Sequence, residues 1–172
     1  MRKRTIVLIV VLVIILLIAI VAVQLYLQYN AAKNLSISIV KVGAQNVRID
    51  SATITVTLSL SNPTSTSLPP VQVNFSAYLA GKFIGNGSLP QVHIVGNNAV
   101  LQTVYFNVTY VTIASAVIHS LLNGQYNITV IGNARVHLLA SLIPVTVGFT
   151  VIEICPGLTS TQNCTQTTRL SK

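Results

Sequence analysis

The run from Thr5 to Leu27 is interrupted by one polar residue, Gln24. At 1.5 Å rise per residue, about twenty apolar residues span a hydrocarbon core of about 30 Å. The run therefore predicts a transmembrane helix over 5–29. A core helix of a water-soluble protein would show a polar solvent face, and this run has none. A cleaved secretory signal carries only about 7 to 15 apolar residues before a small-residue site. Ala19 and Ala22 lie inside the run and make a poor site. Arg2, Lys3 and Arg4 form a basic stub, residues 1–4, that the positive-inside rule holds in the cytoplasm, with Tyr26 and Tyr29 near the opposite interface. The rest of the chain is then expected outside.

Beyond the helix lie about 140 residues, enough for one domain with a core. A link over 30–34, even fully extended, reaches at most about 20 Å, so the domain is expected close to the bilayer. Ser51 to Leu60 carries the clearest period. Ala52, Ile54, Val56, Leu58 and Leu60 alternate with Thr53, Thr55, Thr57 and Ser59, the pattern of a half-buried antiparallel strand. The same alternation recurs in 71–79, 100–110, 126–130 and 145–151, and 35–42 reads as a first strand. Turn chemistry is expected at Gly85-Asn86-Gly87, Gly96-Asn97-Asn98 and Gly132-Asn133, with Asn62-Pro63 and Pro69-Pro70 ending one strand before the next. Short strands with regular punctuation predict a mainly β fold, an antiparallel β-sandwich over 35–154 followed by a tail over 155–172. One stretch breaks the pattern. Ile113, Val117 and Leu121 recur every four residues between Thr112, a credible N-cap, and Asn123-Gly124, a credible stop. This predicts one α-helix packed on a sheet.

Six N-x-Ser/Thr sequons begin at Asn34, Asn74, Asn86, Asn107, Asn127 and Asn163; Pro63 disqualifies Asn62. Asn74, Asn107 and Asn127 alternate in phase with polar neighbours, so each is expected on a solvent face. Such a pattern also arises by chance in a chain rich in Asn and Thr. An outside location favours partial occupancy, and the protein is expected to be a glycoprotein. Cys155 and Cys164, the only cysteines, lie beyond the last expected strand. An oxidising exterior permits a disulfide between them, and closing so short a loop is worth up to about 3 kcal/mol. A metal pair or redox dithiol would call for C-x-x-C spacing, which is absent.

Charge limits the chemistry. Only 7% of residues are charged, with ten Lys and Arg against two acids, Asp50 and Glu153; an ordinary domain carries about a quarter. No nucleophile-elbow motif surrounds any Ser. His119 and His137 read as surface residues, His93 as half-buried, and no spacing among the three suggests a metal site. Scattered cations and the absence of Trp argue against nucleic-acid binding. The expectation is a non-enzymatic protein without cofactor. Scarcity of carboxylates also predicts tolerance of acid, because acid unfolding acts largely through native carboxylates of depressed pKa. Seven basic residues and three His give the outer part only +10 in strong acid.

Asn62-Pro63-Thr64-Ser65-Thr66-Ser67-Leu68-Pro69, Ala80-Gly81-Lys82-Phe83-Ile84-Gly85-Asn86-Gly87, Leu121-Leu122, Tyr126 to Gly132 and Ile143-Pro144-Val145 occur in that order. Together they resemble the late embryogenesis abundant (LEA) type 2 family, also called the water stress and hypersensitive response (WHy) domain, over about Leu35 to Ile154. The resemblance implies a fibronectin-like or immunoglobulin-like sandwich with one helix. It also implies desiccation or stress protection, and an apolar ligand of lipid class held in a groove. It carries over no catalytic residue. Dense sequons, low charge and the two-Cys tail depart from the family and suggest a surface-exposed, archaeal version.

The leading expectation is a single-pass, outward-facing protein of the cell envelope. Its partners are the lipid bilayer and an apolar ligand or envelope protein, with Val117 and Leu121 expected in the helix-sheet seam that forms the groove. The alternative is a homo-oligomeric filament subunit, since archaeal pilins also join an apolar helix to a glycosylated sandwich. The start Lys3-Arg4-Thr5 resembles their processing site only loosely and lacks the usual following Gly.

Overall fold

The computed structural model describes residues 2–46, 48, 50–109, 124–139, 142–156 and 165–166. The expected helix over 112–122, with Val117 and Leu121, lies outside them, as do His119, Asn163 and Cys164.

Helix α1 runs from Arg2 to Lys33. Its large apolar side chains from Ile6 to Val23 are between 48% and 66% exposed, so no other described part of the chain covers them. It is long and apolar enough to cross a membrane. The expected link over 30–34 is not extended. The helix continues through Lys33, because Ala31 and Ala32 are small enough to pack fully against the sandwich. It ends at Asn34, whose Nδ2 donates to the Asn30 carbonyl at 2.9 Å and to Asn30 Oδ1 at 3.1 Å. The Asn30 carbonyl, which also accepts the Asn34 N–H at 3.1 Å, is thereby doubly held at the helix end.

Among the described residues eight strands follow, paired antiparallel: β1 Ser36–Gln45, β2 Ser51–Asn62, β3 Val71–Leu79, β4 Lys82–Val92, β5 Asn98–Thr109, β6 Gln125–Leu138, β7 Ile143–Pro156 and β8 Thr165–Gln166. One sheet has the order β1-β2-β5, the other β4-β3-β6-β7-β8. This is the expected β-sandwich, with the fourth strand paired to the third and not to the fifth as in constant-type immunoglobulin domains. The inward side chains are those the alternation singled out. Ile54, Val56, Leu58 and Leu60 of β2 face Val71, Val73, Ala77 and Leu79 of β3 across a dry core.

Two expected turns are strand interiors. Gly85-Asn86-Gly87 belongs to β4 and Gly132-Asn133 to β6. The reason is Phe75, which pairs with Gly87 on one side and Gly132 on the other. A Cβ on Gly87 would lie 2.3 Å from Phe75 Cζ, and one on Gly132 would lie 2.3 Å from the Asn74 carbonyl oxygen. Gly87 makes room for the buried ring, which covers its bare backbone, and Gly132 lets β6 lie close against Asn74 and Phe75 of β3. The reversal between β3 and β4 falls at Ala80-Gly81, both at positive φ. The tail also differs from expectation. Cys155 and Pro156 close β7, and β8 returns to pair with Glu153 and Ile154.

The Asn-Pro element is built as a cap. Asn62 is fully buried. Its Oδ1 accepts from the Thr64 N–H at 3.1 Å and the Thr64 hydroxyl at 2.7 Å, while Nδ2 donates to the Thr66 carbonyl at 2.8 Å. The loop so shaped receives the Asn97 N–H on the Thr64 carbonyl at 2.7 Å. Asn62→Ala takes their side-chain partner from the part-buried Thr64 N–H and Thr66 carbonyl and should cost about 1–3 kcal/mol. In a thermal melt of the full chain in micelles this reads as a fall of roughly 4–10 °C; an unchanged midpoint would contradict the capping role.

Candidate functional site

A hollow is built where α1 meets the sandwich. β1 leaves the helix end and runs alongside β7, and the two are tied by the Ile39 N–H donating to Glu153 Oε1 at 2.9 Å. Below that tie the edges of β1 and β7 enclose a groove of about 620 Å³. Its wall is apolar, formed chiefly by Leu35, Ile37, Val145, Val147 and Phe149, and its rim carries Tyr29 and Lys33. Lys33 Nζ lies over the Tyr29 ring, 4.9 Å from its centroid, a cation–π contact that holds the ammonium at the mouth. Among the described residues Lys33 is the only charged one in the lining. The helix C-terminus also favours a cation there. Such a site suits an apolar tail with a polar or anionic head.

Glu153 closes the dry end above the groove. It is fully buried, and its Oε2 has no partner among the described residues. Burial pushes this carboxyl above the usual range, and the Ile39 N–H draws it partly back. Tyr126 on the neighbouring strand is also buried, with its hydroxyl unpartnered among the described residues and its pKa pushed up to about 12 by burial.

The other residues marked in the sequence are dispersed. Asn74, Asn86 and Asn127 are exposed on the larger sheet, Asn107 on the smaller, and Asn34 at the groove rim. Asn86 Oδ1 accepts from Ser76 Oγ at 2.8 Å and Asn107 Oδ1 from Thr53 Oγ1 at 3.0 Å, so both keep Nδ2 outward. At Asn34 a glycan would leave one N–H for the two acceptors its Nδ2 now serves. Cys155 is buried and disulfide-bonded. His93 is exposed, not half-buried as expected, because it alternates with buried Val92 and Ile94 in the link from β4 to β5. Among the described residues no group of three His, Cys, Asp or Glu is placed to hold a metal ion.

The groove escaped sequence reasoning because its walls come from segments about a hundred residues apart. One signal was available: Val145, Val147, Phe149 and Val151 continue in phase to Glu153 and Cys155, which marks the inward face of a longer strand.

No family model matches the chain, and no curated protein matches it. Among solved structures, the fold is similar to the solution structure of an Arabidopsis thaliana protein. The two have 18% identity and a TM-score of 0.53, over 70% of this chain and 80% of that one. A crystal structure from Archaeoglobus fulgidus is similar at 11% identity and TM-score 0.43, over 70% of this chain and 97% of that one. A solution structure provisionally described as a late embryogenesis abundant protein is similar at 16% identity and TM-score 0.39, over 85% of this chain and 89% of that one. The first of these likenesses shows a shared sandwich fold.

Proposed function

We propose that this chain is a single-pass, non-enzymatic, LEA type 2-like protein. Its sandwich stands outside the cytoplasm against the membrane surface and takes an amphiphile of lipid class into the groove at the root of its anchor, in a protective role at the cell envelope. The observation that carries this reading is the placing of the groove. An apolar cleft with one cation at its lip opens beside the last turns of a span-length helix. A lipid lifted partly from the bilayer would lay its chain along Leu35, Val147 and Phe149 and its phosphate or carboxylate near Lys33. The order of the Asn-Pro cap, the Ala80-Gly81 turn and the Ile143-Pro144 strand start supports the family resemblance, and with it the stress role. No acid, base and nucleophile converge in the groove lining.

The test is mass spectrometry of lipids that co-purify with the full chain in mild detergent, with Val147→Trp to fill the cleft and Lys33→Ala to remove the cation. Wild type is expected to retain lipid at near one per chain. Val147→Trp is expected to lose it about tenfold or more, since a filled cavity forfeits the ligand's apolar burial. Lys33→Ala should shift the retained population away from anionic species. Equal lipid in all three proteins, at equal melting temperature, would overturn the reading.

A further inference from the structure

The β6–β7 hairpin projects past the start of β1 toward the anchor. Glu153 is level with Ile39, and β7 begins ten residues before Glu153 whereas β1 begins three before Ile39. At about 3.3 Å per residue the hairpin therefore overhangs the first residue of β1 by about 20 Å. The groove lining follows the same course, with Val147 and Phe149 beside Leu35 and Ile37, and Val145 on the same wall as Tyr29 and Lys33. Leu25 packs against the sandwich core one turn further down the helix. The hairpin end thus lies alongside the last turns of α1, level with Tyr26 and Tyr29, which are 68% and 40% exposed.

That end is apolar. The Leu142 N–H donates to the Leu139 carbonyl at 3.2 Å to close the reversal, and Leu139 accepts a left-handed φ of 47°. Leu142 is 80% exposed, the highest value among the large apolar residues described, and Ile143 beside it is 38% exposed. Val95, in the link that reaches the same end of the sandwich, is 58% exposed. The opposite end carries Arg48, Asp50 and Lys82. A leucine held outward at a tight reversal gains nothing from water, and the lipid interface beside Tyr26 and Tyr29 is within its reach.

We infer that the β6–β7 hairpin is a second membrane contact, with Leu142 and Ile143 seated in the outer interface of the same bilayer that holds α1. The inference rests on the anchor reading. Two contacts at a distance fix the sandwich about the helix axis, which one helix alone leaves free to rotate, and they turn the mouth of the groove toward lipid.

The chain contains no Trp, so a single introduced tryptophan reports alone. Full-length Leu142→Trp, Ile143→Trp, Leu101→Trp and Ile15→Trp are reconstituted into phosphatidylcholine vesicles with and without chain-brominated lipid. Leu101 is 60% exposed on the smaller sheet and serves as the water-facing reference. The expected result is blue-shifted emission and strong quenching at position 142, weaker quenching at 143, none at 101, and the deepest quenching at 15. Quenching at 15 without quenching at 142 or 143 overturns the hairpin contact and leaves the anchor standing. Absence of quenching at 15 overturns the anchor reading itself.

Discussion

Replacing Phe75 by alanine is expected to lower the stability of the sandwich by about 3–5 kcal/mol, the usual loss for emptying a buried aromatic site. The ring is 4% exposed and meets Phe106 edge-on, with centroids 6.2 Å apart. The ring also lies over Gly87, where an added Cβ would meet Phe75 Cζ, so truncation bares strand backbone. In thermal melts of the full chain in micelles, followed by β-sheet circular dichroism, this reads as a fall of roughly 10–20 °C. The converse substitution is informative too. Gly132→Ala places a Cβ against the Asn74 carbonyl oxygen, a backbone atom that moves only if β3 and β6 part, and should cost about 1–3 kcal/mol. If Phe75→Ala melts within about 2 °C of wild type, the ring is not the organiser of this sheet.

The second large effect is on pH dependence. Glu153 has its carboxyl pKa raised above the ordinary 4.5 by burial. The folded state therefore holds this proton more tightly than the unfolded chain does. The stabilisation is fully present below the unfolded value and is lost as pH rises through the higher native value, where the fold must keep a bare carboxylate in apolar surroundings. The melting temperature of the full chain is expected to rise on acidification from pH 8 to pH 4, opposite to the common behaviour of domains rich in paired carboxylates. Glu153→Gln keeps an oxygen for the Ile39 N–H and removes the titration, so its melting curve should be flat across that range. Glu153→Ala orphans the same N–H and should cost about 1–3 kcal/mol throughout. Cooperative loss of β signal on acidification above pH 3, or an unchanged pH profile in Glu153→Gln, would refute the assignment.

Where one face of a strand is buried and the other wet, the chain advertised its fold. β2 needs nothing beyond its alternation, because each inward residue meets core and each threonine meets water. β4 and the second half of β6 were illegible for the opposite reason. Their glycines look like turn residues until the ring of Phe75, a distant partner, is placed between them, and β4 is further disguised by Pro90, tolerable on an edge strand, and by two irregularities in its pairing with β3. Asn62-Pro63 was readable as a strand end because its chemistry is local. The groove and the hairpin overhang were not, since both depend on how far β7 slides along β1, which only the Ile39 to Glu153 contact fixes.

The unbroken passage of α1 through Lys33 into the packed Ala31 and Ala32 has a mechanical corollary. In a bilayer, the stretch of this helix that the sandwich leaves bare, Ile6 to Val23, is about 27 Å long at 1.5 Å per residue. That is close to a typical hydrocarbon core, and a membrane thinner than the stretch is commonly met by tilting. With no hinge between rod and body, any lean is transmitted whole, as through a lever. Thinner membranes would lay the sandwich over and thicker ones would stand it upright, so on the proposed anchoring the local thickness of the lipid would set the angle at which this surface meets whatever approaches it.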